Sequence, residues 1–212
     1  MRQTRIDYTL VAEGHAEYAF IPAYLRLIAA KFNIQVVVLS KLGFKGQKAG
    51  KAKVLKEASA IFSTAIGQGH QLLIVGIDLD KPDYEQEQPG HTAECRLLLD
   101  ALGKTHKKFG DRIVHFVTVQ AIEQWLAYQS YQTNIGKKYP PNSLESKTQD
   151  ELKKQLYGEK SNEVVTERVA SKIASSADFD ELARQSRSFK HFHNQVVQFL
   201  QAYSKLTDHE LP

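Results

Sequence analysis

Apolar positions along the chain follow two rhythms, and the two alternate. Near-continuous apolar runs at 6–12, 34–39, 72–79 and 113–119 read as strands. Between them, at 15–32, 52–66 and 91–109, apolar residues recur every three to four positions, as on the buried stripe of an amphipathic helix. The run Leu72-Leu73-Ile74-Val75-Gly76-Ile77 is apolar on both parities, which marks a strand covered on both faces, as in a parallel sheet. Strand and helix alternate three times before a fourth strand. That order predicts an α/β protein with a Rossmann-like, mostly parallel four-stranded sheet, flanked by helices and joined by right-handed crossovers. Gly14 permits a sharp turn after the first strand, and Gly67 and Gly69 end a helix before the third. Pro22 has to fall in the first turns of its helix or kink it.

After the fourth strand, Ala121-Ile122-Glu123-Gln124-Trp125-Leu126 opens another helix. Residues 132–163 are polar, are broken by Pro140-Pro141 and contain one short helix near 149–157, so they read as a flexible insertion or lobe without its own core. Residues 164–204 read as two helices split near 175–178. The expected organisation is an α/β core over 1–130 and a C-terminal helical extension over 131–212 packed on it.

Composition narrows this only slightly. The chain has 212 residues, enough for one domain with an appendage. Its formal charge of +4 and pI near 9.0 permit a phosphate-rich partner without requiring one. The single cysteine, Cys95, excludes an internal disulfide and suits a reducing compartment; it reads as a small buried residue on a helix. The N-terminal residues lead directly into a strand-like run, unlike a signal peptide, and no apolar stretch reaches the roughly 18 residues of a membrane span. A cytoplasmic protein without a membrane partner is expected.

The candidate chemistry lies at the strand ends. Asp78 and Asp80 close the third strand, Glu13 follows the first and Glu123 follows the fourth. In an open α/β sheet the carboxyl ends of the strands are where ligands bind. Alternation along a strand puts Asp78 and Asp80 on one side, where like charges repel unless a cation neutralises them. Oxygen donors of this kind suit Mg²⁺, which also keeps waters and substrate phosphates in its shell. The structural alternative is that the acids simply end strands and cap loops. No set of His or Cys residues at ligand spacing competes: His191 and His193, two apart on a helix, do not share a face and read as surface. His15, beside Glu13, is read either as a contact to a substrate phosphate or as a solvated residue of the first helical turn.

Between 41 and 56 the chain carries six lysines with several glycines. The spacing of Gly46, Gly50 and Lys51 is wrong for a phosphate-binding P-loop, and Ala52 replaces its metal-binding hydroxyl. Lys41, Lys45, Lys48 and Lys51 are nonetheless candidates for holding a nucleic-acid backbone; the alternative is a solvated surface loop.

Glu13-Gly14 after the first strand, Asp78-Leu79-Asp80 after the third and a later acid resemble a Toprim domain, the catalytic module of topoisomerases, bacterial primases and several nucleases. More narrowly, Val11-Ala12-Glu13-Gly14-His15-Ala16-Glu17, Ile122-Glu123-Gln124-Trp125-Leu126 and the late Ser188-Phe189 are similar to a small stand-alone Toprim-like bacterial family. Its members are often encoded beside ATP-binding-cassette-type ATPases in defence or mobile regions. The resemblance implies Glu13 as general acid–base or metal-bridging glutamate and Asp78 and Asp80 as Mg²⁺ (or Mn²⁺) ligands. It further implies Glu123 as an accessory ligand and Glu17 as a second catalytic glutamate that orients the site.

Together these point to a Mg²⁺-dependent phosphoryl-transfer enzyme, a nuclease acting on DNA or RNA, with an ATP-binding-cassette-type ATPase as a candidate partner. The competing class is a non-catalytic module that binds a nucleotide or docks on such an ATPase through its C-terminal helices.

Overall fold

A computed structural model describes residues 4–38, 43–44 and 49–209 of the chain. Four strands, β1 (Thr4–Val11), β2 (Ile34–Val38), β3 (Leu72–Asp78) and β4 (Ile113–Thr118), form one all-parallel sheet in the order β2-β1-β3-β4. The connecting helices are α1 (His15–Ala30), α2 (Gly50–Gly67) and α3 (Pro89–Phe109). After β4 come α4 (Glu123–Gln129), α5 (Gln149–Tyr157), α6 (Glu163–Ser176), α7 (Phe179–Gln185) and α8 (Arg187–His209). The chain leaves β1 for β2 on one side and returns to β3 on the other, so the order reverses between β1 and β3. That reversal opens a crevice at the strands' carboxyl ends.

The sheet is buried on both faces, as the doubly apolar β3 requires: all seven of its residues are buried. Ile6, Tyr8, Leu10, Leu72, Ile74 and Phe116 face one core with α1 and the C-terminal helices. Val11, Leu73, Val75, Ile77 and Val117 face the other with α2 and α3. Residues beyond 130 belong to the first of these cores: Leu144, Leu152, Ile173, Leu182, Phe189 and Phe192 are buried in the same cluster as β1 and α1.

Trp125 of α4 is the centre of that core. It is fully buried, with ring centroids 5.0 Å from Phe189, 5.7 Å from Phe116, 5.8 Å from Phe192 and 6.1 Å from Phe20. Its indole N–H donates to Ser188 Oγ at 2.9 Å, satisfying the one polar atom that burial would otherwise orphan. The C-terminal helical region has three helices where the periodicity predicts two. The break expected near 175–178 is present, and a second falls at Ser186, an extended residue whose hydroxyl accepts from Phe189 N and donates to Gln124 Oε1, both at 3.3 Å. This tie to α4 is a tertiary one and leaves no periodic trace. Pro22 lies in the interior of a continuous α1, at the loss of one backbone hydrogen bond.

Gly76 shows how tightly the layers meet. A Cβ placed there would lie 1.8 Å from Cζ of Phe116, because the Phe116 ring lies directly over the β3 backbone. Gly76→Ala is expected to lower unfolding stability by about 1–3 kcal/mol or more, the cost of overpacking a filled core. Urea midpoints at constant slope measure it, and an unchanged midpoint would show that the ring has room to move.

Candidate functional site

The crevice at the carboxyl ends of β1 and β3 is a cleft of about 530 Å³ lined by Glu13, Glu17, Asp78, Asp80 and Glu123, all five of the acids singled out in the sequence. Each is placed by a different local feature. Glu13 follows β1, and its carboxylate accepts the backbone N–H of Asp78 at 2.8 Å, so it lies across the β1–β3 gap. The backbone of Lys51, in the first turn of α2, also favours the charged form of this carboxylate, while Ala49 N–H donates to the Glu13 carbonyl at 3.0 Å. Glu17 is in the first turn of α1, where the helix dipole favours negative charge. Asp78 is the last residue of β3 and accepts a hydrogen bond from the Thr118 hydroxyl on β4. Glu123 opens α4 and accepts from the Tyr157 hydroxyl on α5 at 3.1 Å.

Asp80 departs from the alternation that the sequence suggests. Strand β3 ends at Asp78, and Asp80 takes a left-handed backbone with φ +60°, a conformation Asp tolerates better than most residues. Its N–H bonds the carbonyl of Gln120, itself left-handed. The extended pleat therefore stops short of Asp80. Asp78 is buried, whereas the Asp80 carboxylate is exposed at the rim, 3.5 Å from Lys51 Nζ.

Burial decides the electrostatics. Glu17, Glu123 and Asp78 are 3, 4 and 8 % exposed. Among the described residues, no cationic nitrogen lies within 4.0 Å of any carboxylate of Glu13, Glu17, Asp78 or Glu123. Burial, followed by repulsion from Glu123 and Glu13, pushes Glu17 up to about 8. Burial, then repulsion from Glu17, Glu123 and Glu13, raises Asp78 well above the ordinary aspartate range, and burial raises Glu123 and Glu13 as well. Lys153 of α5 lowers Glu17 and Glu123 only in part. Glu17, Asp78 and Glu123 thus share a buried site with the half-buried Glu13, and among the described residues no cation pairs directly with any of the four. Such a site keeps protons or takes up a cation.

The donor set suits Mg²⁺ or Mn²⁺: it is all oxygen, anionic and lies in a cleft with room for water and phosphate. The carboxylates are not drawn into a tight cage. Among the described residues, the group of three or more potential ligands whose atoms all lie within 4.8 Å of one another is Cys95, His115 and His191, outside the cleft. Mg²⁺ typically takes only one or two carboxylates and completes its shell with water and substrate oxygens.

His15 is largely buried and lines the cleft, with its Nε2 making no hydrogen bond among the described residues. Its ring nitrogens lie 3.2 Å from Glu163 and 3.2 Å from Glu167 on α6, which ties α6 to the start of α1. Of the basic-loop candidates, Lys51 lies between Asp80 and Glu94, at 3.5 and 3.7 Å, and so meets the acidic rim directly. Lys41, Lys45 and Lys48 lie outside the described residues. Phe44 is tied to β1 and α1, since the Tyr18 hydroxyl accepts from Phe44 N–H at 2.8 Å and from Ala12 N–H at 3.2 Å.

Three contributors went unread in the sequence. Thr118, Lys153 and Tyr157 come from β4 and from the polar segment that reads as a lobe. A local signal for α5 does exist: Thr148 and Glu151 form a capping box, with Glu151 N–H donating to Thr148 Oγ1 at 3.3 Å and the Glu151 carboxylate accepting from Thr148 N–H at 2.9 Å. It places the helix but not the face that meets Glu123.

Among the described residues, no helix is long and apolar enough to cross a membrane. No protein-family model, curated protein or solved structure matches the chain.

Proposed function

We propose that the acidic cleft binds Mg²⁺ or Mn²⁺ and that the protein is a metal-dependent phosphoryl-transfer enzyme, a nuclease acting on DNA or RNA. The observation that carries this reading is the set of carboxyls of Glu13, Glu17, Asp78 and Glu123, half-buried in Glu13 and buried in the others, gathered where the strand order reverses with no cationic nitrogen of the described residues within 4.0 Å. The resemblance of Glu13-Gly14 and Asp78-Leu79-Asp80 to Toprim domains supports the same reading and further implies an ATP-binding-cassette-type ATPase partner.

In this reading Asp78 and Asp80 would hold the metal, Glu13 would serve as general acid–base or as a further metal ligand, and Glu123 would be accessory. When bound, the ion would neutralise phosphate charge and make a water more acidic. The chain's own groups do the rest. Glu13 is oriented by the Asp78 N–H, which its carboxylate accepts at 2.8 Å across the β1–β3 gap. Glu17, which keeps its proton to about pH 8, is poised to give or take one near neutrality. Lys51 and Lys153 line or border the mouth and favour an anionic substrate.

The test is incubation of single- and double-stranded DNA and RNA with the full chain in Mg²⁺, Mn²⁺ or chelator. Cleavage that needs the metal and fails in Glu13→Gln is expected. No cleavage of any substrate, together with no Mg²⁺ effect on melting, would favour the non-catalytic module. Lys45→Glu and Lys48→Glu are expected to weaken nucleic-acid binding and to reduce the slope of log K against log salt by roughly 0.7–0.9 each. A slope equal to wild type would leave these lysines as solvated surface.

A further inference from the structure

At the free edge of β4, three elements bring one sulfur and several imidazoles together. His91 and Cys95 are one turn apart on α3, His115 is on β4, and His191 is in the first turns of α8. One ligand atom each from Cys95, His115 and His191 lies within 4.8 Å of the other two. The Nε2 atoms of His115 and His191 are 3.2 Å apart. The His91 ring is edge-on to His191, with centroids 5.3 Å apart at 84°, and its nitrogens are 3.8 Å from the Cys95 sulfur. None of the four lines the acidic cleft.

We propose that Cys95, His115 and His191 form a second metal site, for a zinc-like divalent ion, with His91 beside its fourth position. In tetrahedral zinc, bonds of about 2.0–2.1 Å to nitrogen and about 2.3 Å to sulfur set neighbouring ligand atoms about 3.3–3.8 Å apart. The present spacing is within a small side-chain adjustment of that. A hydrogen bond between two imidazoles accounts for one nitrogen pair, but not for a buried thiol converging on the same point. Thiolate and imidazole donors select zinc over Mg²⁺, so the two sites sort metals by chemistry.

The scaffold around the triad is built. The Gln195 amide, one turn along α8 from His191, accepts from His115 N–H at 3.1 Å and donates to the His115 carbonyl at 2.9 Å. The strand that carries one ligand is thereby clamped to the helix that carries another. His191 is exposed and offers an entry path, while Cys95 is buried. A neutral imidazole would ligate without losing a proton, and the Cys95 thiol would have to release one on binding the ion.

Cobalt(II) is the probe. The full chain, stripped with a chelator and dialysed, is expected to take up Co²⁺ with tetrahedral visible bands and a thiolate-to-cobalt charge-transfer band. Zn²⁺ should bleach both and Mg²⁺ neither. Cobalt held by the carboxylates of the cleft would lack the thiolate band, so Asp78→Asn should leave that band unchanged. Cys95→Ser should abolish it, and His191→Gln, at an exposed position, should weaken binding at least about 100-fold. If Cys95→Ser does not fold, His191→Gln decides. Absence of the charge-transfer band in wild type, or wild-type affinity in His191→Gln, would overturn the site.

Discussion

Asp78→Asn is expected to abolish metal-dependent cleavage, by at least about 100-fold, while leaving the fold intact. Losing an outer-shell partner of a metal site costs about 10–100-fold, and a direct ligand should cost no less. Asparagine has the size of aspartate, and its carbonyl can still accept from the Thr118 hydroxyl, so the buried hydrogen bond to β4 survives. What disappears is one negative charge among Glu17, Glu123 and Glu13, the neighbours that raise the Asp78 carboxyl. Without metal the variant should therefore melt at or slightly above the wild-type temperature. With Mg²⁺, wild type should gain and Asp78→Asn should not, since a ligand stabilises only the state that binds it. A structural Asp78 predicts the opposite pattern: a lower melting temperature in the variant and no Mg²⁺ response in either protein. Thermal melts of both chains, with and without Mg²⁺, separate the two before any substrate is identified.

The second large effect is a loss of stability with rising pH in the absence of metal. Glu17 ordinarily titrates near 4.5 and is raised to about 8 in the fold. Its folded state therefore holds the proton more tightly than the unfolded chain does. That contribution is complete below about pH 4.5, shrinks as pH rises and is lost once pH passes about 8. Between pH 6.5 and 8.5 this one group should remove about 2 kcal/mol, or about 4–8 °C in melting temperature for a chain of this length. The window matters because His91 and His115, pushed down to about 4 chiefly by burial, act with the opposite sign and change stability only below about pH 6.5. Glu17→Gln should flatten the profile above pH 6.5 and raise stability at pH 8.5. Mg²⁺ competes with protons for the same carboxyls, so its stabilisation should grow across that window. A profile unchanged by Glu17→Gln would mean that water reaches this carboxylate in the folded state.

Much of the fold was legible because sheet and helix leave different periods in the chain. The doubly apolar 72–77 marks a strand covered on both faces, and three helical stretches between strands leave a parallel sheet as the economical arrangement. The strand-end acids followed from that topology, since ligands bind at the carboxyl ends of such strands. Glu13, Glu17, Asp78, Asp80 and Glu123 do line one cleft. Less was visible where the chain's period is silent. Asp80 breaks its alternation by a left-handed backbone, and the break at Ser186 depends on a hydrogen bond to Gln124.

The Cys95–His115–His191 cluster marks the boundary most sharply. His191 and His193 cannot share a ligand from one helix, and that inference stands: His193 turns instead to the Tyr24 hydroxyl at 3.0 Å. The expectation that no His or Cys set exists does not stand, because the partners of His191 are 76 and 96 positions away and meet it only where α3 and α8 close round the edge of β4. By itself the sequence determined what depends on neighbours along the chain: periods of apolar residues, turns, and which acids end which strands. The tertiary structure alone decided burial, and with it which carboxyls hold protons, which lysines meet acids and which distant side chains converge, because those depend on low dielectric and on contacts that one-dimensional spacing does not encode.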